Sequence, residues 1–80
     1  MSKQVMIFIE MYNELEAKLR KKGMTARDFS ATLPRREGLM LQKLRVYRNY
    51  LAHSMGEDNY PGEVNLVAWN AFLQDLIKRI

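Results

Sequence analysis

Val5, Phe8, Tyr12, Leu15 and Leu19 recur at intervals of three, four, three and four residues. That spacing keeps all five on one stripe of an α-helix, whereas in a strand it would scatter them over both faces. The segment from about residue 3 to residue 22 is therefore predicted to be helical, and the rest of the chain must cover its stripe. Met6, Ile9 and Met11 widen the apolar surface beyond what one neighbouring helix covers, which points to a partner chain. Lys18, Arg20, Lys21 and Lys22 fall in the last turns, where cations complement the helix dipole. Gly23 is placed to end the helix.

Three more helical segments follow. Thr25 with Asp28 three residues later reads as a capping box. Met24 and Phe29 hold the hydrophobic-staple positions on either side, and Pro34 stops this short helix. Pro34 also suits the first position of a third helix, predicted to run to about His53 with Met40, Leu44, Tyr47 and Leu51 as its buried stripe. Gln42, Arg45, Asn49 and His53 make a polar stripe on another face, with Arg48 beside it. Residues 54–62 are loop by composition. A last helix is predicted over about 63–80, with Leu66, Trp69, Leu73, Leu76 and Ile80 at heptad-like spacing. At that spacing Trp69 and Phe72 are expected in the core rather than stacked on bases. The expected architecture is all-α: a single domain over residues 1–80, a compact bundle of about four helices, one of them short.

A chain of 80 residues buries only about 60–65% of its unfolded surface. Scaffolds this small commonly lean on disulfides, a metal or a second subunit. With no cysteine and one histidine, disulfides and thiolate metal sites are excluded and a structural zinc site is disfavoured. No cofactor or metal is expected, and a homodimer is. The apolar run Val5–Ile9 is too short for a signal core and is interrupted by Glu10. No stretch approaches the roughly 20 apolar residues that span a bilayer, so a cytoplasmic protein without a membrane partner is expected.

The net charge of +4 is concentrated. Residues 20–48 hold nine cations (Arg20, Lys21, Lys22, Arg27, Arg35, Arg36, Lys43, Arg45 and Arg48) against Asp28 and Glu37, a net of +7. Such asymmetry favours a polyanionic partner, against the plainer reading of a solvated cationic surface. Arg35 and Arg36 open the third helix, where the dipole disfavours cations, which hints at phosphate contact. Glu10 and Glu14, one turn apart on the first helix, read as a solvated face with Glu14 pairing to Lys18.

The pointed chemistry lies in Arg48-Asn49-Tyr50-Leu51-Ala52-His53. Asn49 and His53 share a helix face, as do Arg45 and Asn49. Histidine transfers protons near neutral pH, and a guanidinium offers a planar fork to phosphate oxygens. Those are the tools for metal-free RNA cleavage. The plainer reading is a histidine that caps helix carbonyls. Arg48 and His53 stand about 140° apart around an ideal helix, so one chain does not aim both at one phosphate.

The run Leu44–His53 resembles the signature of the HEPN superfamily, an Arg followed by a polar residue and, after a few positions, a His. Arg48, Asn49 and His53 match it, and the Ala52-His53 ending and upstream Leu44-Arg45 also resemble members. The resemblance covers about a dozen residues, and members are commonly longer than this chain. It implies a dimerising helical bundle in which two motifs face one another as a composite RNase site, in some members as toxins paired with antitoxins. Arg48 would then bind the scissile phosphate, His53 transfer protons and Asn49 orient groups, with Arg45, Lys43, Arg35 and Arg36 as further nucleic-acid contacts. One toxin branch carries a modified tyrosine two positions after the histidine; Met55 stands there in this chain. Two other function classes stand beside this one. The second and third helices can be read as helix-turn-helix against DNA, and the over-apolar first helix as the face of a noncatalytic dimeric adaptor or inhibitor that binds another protein.

Overall fold

The computed structural model describes residues 2–54 and 60–80. It holds four helices, α1 (Lys3–Lys21), α2 (Ala26–Thr32), α3 (Arg35–Ser54) and α4 (Leu66–Arg79), and no strand among the described residues. Among the described residues no helix is long and apolar enough to cross a membrane. The loop expected over 54–62 falls largely on residues 55–59, outside the described residues, as does Met55.

Several helix ends are fixed by local contacts. Ser2 caps α1, its hydroxyl accepting from the Val5 N–H at 3.2 Å. At the other end Gly23 takes φ +72°, which glycine adopts without the Cβ penalty. Its N–H donates to the Arg20 carbonyl and the Met24 N–H to the Leu19 carbonyl, the paired bonds of a Schellman turn. The Thr25–Asp28 capping box forms in both directions, at 3.1 and 3.2 Å. Pro34 sits one residue ahead of α3 and gives its carbonyl to the Gly38 N–H. α4 starts at Leu66 rather than near residue 63, because the Asn65 side chain caps it by accepting from the Ala68 N–H.

The stripe on α1 is buried as its spacing predicts: Val5, Phe8, Tyr12, Leu15 and Leu19 are all in the core. On α3 the core face differs from expectation. Leu41, Leu44, Tyr47 and Leu51 are buried, while Met40 is half-buried. The face turns because α2 lies over Gly38, where an added Cβ would stand 2.5 Å from the Ser30 carbonyl oxygen. Burial that begins at Gly38 continues most directly through Leu41. On α4, Trp69, Asn70, Leu73, Leu76 and Ile77 are buried.

Two helix pairs are joined through large side chains. α2 lies against α3, and α1 lies against α4. Asn70 Nδ2 donates to the Gln4 carbonyl and side chain near the start of both helices of the second pair. Lys18 Nζ donates to the Ile77 carbonyl near their ends, so α1 and α4 run in the same direction. Between the pairs, Phe8, Tyr47 and Trp69 meet at ring separations of 5.2–6.2 Å, one ring each from α1, α3 and α4. Edge and tilted contacts of this kind add to plain area burial.

Candidate functional site

α1, α2 and α3 leave a polar cavity of about 390 Å³ where they meet. α1 supplies Tyr12 and Glu16, one helical turn apart. The start of α2 supplies Thr25, Ala26 and Arg27, and α3 supplies Arg45, Arg48 and Asn49. The spacing of 45, 48 and 49 puts all three α3 residues on adjoining positions of one face. Three guanidiniums thus share one hollow with a single carboxylate.

Arg48 is half-buried. One end of its guanidinium is held, Nη2 donating to Asn13 Oδ1 at 3.2 Å, while its buried Nε has no partner. Tyr12 is only 1% exposed, and its hydroxyl has no hydrogen-bond partner either. Burial, helped by the Glu16 carboxylate and opposed by Arg45 and Arg48, pushes that phenol from 10.0 up to about 12. It is a neutral donor at any physiological pH. A buried hydroxyl without a partner is costly, and this one lies within reach of the Glu16, Arg45 and Arg48 charges, on a side chain that lines the cavity. The arrangement suits an anion that accepts from several donors at once, as phosphate does.

Of the residues singled out in the sequence, Arg45, Arg48 and Asn49 come together in this cavity. His53 is not among its lining residues; it is exposed, one turn past Asn49 on α3. Lys43, Arg35 and Arg36 line a different hollow with Leu39 and Met40. Glu10 and Glu14 are exposed as expected, but the Glu14–Lys18 pair does not form, since Lys18 is turned to the Ile77 carbonyl. Sequence reasoning missed Tyr12, Glu16, Arg27 and the brace at Asn13. The available signal was the one hydroxyl-bearing residue in an otherwise hydrocarbon stripe on α1.

A second, smaller hollow of about 170 Å³ adjoins the first and shares Glu16, Thr25 and Ala26 with it. Arg20 and Met24 complete its lining. Among the described residues no cluster of His, Asp or Glu could hold a metal ion. Comparison with known protein families, with curated proteins and with solved structures finds no match to this chain.

Proposed function

We propose that this domain acts on RNA as a HEPN-like homodimer, seating a backbone phosphate in the arginine cavity and cleaving the strand without a metal ion. The observation that carries this reading is the cavity itself: Arg27, Arg45 and Arg48 line it together with Tyr12, whose buried hydroxyl is unpartnered. Arg48, braced by Asn13, holds the phosphate and offsets the charge that develops on it. Asn49 orients the strand. His53 transfers the proton as the ribose 2′-oxygen attacks phosphorus and the bond to the 5′-oxygen breaks, leaving a 2′,3′-cyclic phosphate and a 5′-hydroxyl.

The dimer accounts for the position of His53. Leu39, Val46 and His53 follow one another at seven-residue intervals along the outer face of α3, and Leu39 and Val46 are 54% and 55% exposed. A second copy seated on that line covers both apolar side chains and carries His53 into the interface. Each histidine then serves a phosphate held across the joint, as the angle between Arg48 and His53 requires.

The test compares wild type, Arg48→Ala and His53→Ala on mixed cellular RNA in EDTA. Cleavage by wild type alone, with 2′,3′-cyclic ends, is expected. RNA affinity unchanged across all three, with no cleavage, rejects the reading in favour of an adaptor. Sequence-specific duplex binding that is lost on changing Lys43 or Arg45 favours a DNA regulator. A monomer at micromolar concentration removes the composite site.

A further inference from the structure

Glu16 is out of keeping with its surroundings. It is a half-buried carboxylate at the junction of two hollows whose other charged walls are cationic: Arg27, Arg45 and Arg48 on one side, Arg20 on the other. Among the described residues it forms no ion pair and no hydrogen bond, even though those arginines line the same space. A bare anion gains nothing from it and is repelled by it. A carboxylate in this position is satisfied only by a ligand that brings a donor to it while bringing negative charge to either side.

A ribonucleotide strand has that pattern. Successive phosphates flank each ribose, and the 2′-hydroxyl between them is a donor that DNA lacks. We infer that Glu16 reads the ribose 2′-hydroxyl of a single strand laid through the two hollows, with one phosphate on Arg27, Arg45 and Arg48 and the next on Arg20. Glu16 is therefore a specificity residue: it accepts from RNA and, unpaired, opposes DNA. Thr25 and Ala26 line both hollows, between which the sugar passes. This inference rests on the RNA reading above and adds to it the choice of sugar.

The experiment measures binding of labelled oligonucleotides of one sequence as RNA, DNA and 2′-O-methyl RNA. It uses the His53→Ala protein, which leaves the RNA whole, with and without Glu16→Ala and Glu16→Gln. The expected result is a preference for RNA of about tenfold over both other strands, since hydrogen bonds to charged groups are the stronger kind. Glu16→Ala should remove that preference by weakening RNA and tightening DNA; Glu16→Gln, which still accepts but carries no charge, should keep part of it. Thermal melts of each variant separate loss of fold from loss of selectivity. RNA binding whose preference over DNA is unchanged in Glu16→Ala overturns this inference and leaves the RNA reading standing. Failure of all three strands to bind overturns both.

Discussion

In Tyr12→Phe a single oxygen is removed from the floor of the cavity, and stability and binding are expected to move in opposite directions. The ring stays in the core beside Phe8, 6.0 Å away between centroids, so packing is retained. What goes is a buried hydroxyl with no partner, and such a group costs about 1–3 kcal/mol. At the lower end, a domain of this size should melt about 4–8 °C higher. The pH dependence supplies a second reading. The folded-state phenol is raised to about 12 from 10.0, so below pH 10 the group is neutral in both states and its contribution is constant. Above pH 10 the unfolded chain ionises first, and wild type loses stability as pH rises toward 12, by about 2 kcal/mol in all. The phenylalanine variant lacks that loss, so its advantage should widen through this window. RNA affinity, in contrast, should fall several-fold with the donor gone. Circular-dichroism melts from pH 7 to 11 and a binding titration at pH 7 suffice. A melting temperature lowered by more than about 4 °C at pH 7, with RNA affinity unchanged, would show that the hydroxyl is already satisfied and would refute the reasoning.

Gly38→Ala should destabilise by about 1–3 kcal/mol, although alanine is the better helix former by about 1 kcal/mol, because the new methyl meets the Ser30 carbonyl; a chemical-denaturation midpoint that rises instead would show that α2 can lift freely. Glu37 is held below the usual carboxylate range by its hydrogen bond to Arg79, with the guanidinium charge adding. Its contribution is therefore present at neutral pH and lost as pH falls through its folded value. Carboxyl chemical shifts should show Glu37 titrating below the usual glutamate range, and Arg79→Ala should remove that depression.

The helices were legible in the sequence because their signals are local. The α1 stripe, the Thr25–Asp28 box and the Gly23 turn each depend on residues a few positions apart. What was not legible depends on tertiary approach. Met40 and Leu41 are adjacent and equally apolar, and only the seating of α2 on Gly38 turns Leu41 inward. The site divides in the same way. Arg45, Arg48 and Asn49 share one helix face and could be grouped from spacing. Tyr12 and Glu16 join them from α1, about thirty residues earlier, and no spacing rule links the two segments. Tyr12 in particular fits the stripe so well as a hydrophobe that its oxygen gave no separate signal.

The contact of Trp69 with Phe8 and Tyr47 has a consequence for how the protein is made. Every residue assigned to the cavity is translated before α4, and at 5–20 residues per second the site-bearing segments leave the ribosome about a second or more ahead of their cover. Until Trp69 arrives, the rings of Phe8 and Tyr47 lack the third ring that packs against both of them, and α1 lacks the neighbour that holds Gln4 and Lys18. The cavity therefore completes only after α4 is synthesised. Damage to α4 should thus silence an intact set of arginines, and chaperone dependence should track α4 variants more closely than variants of the site.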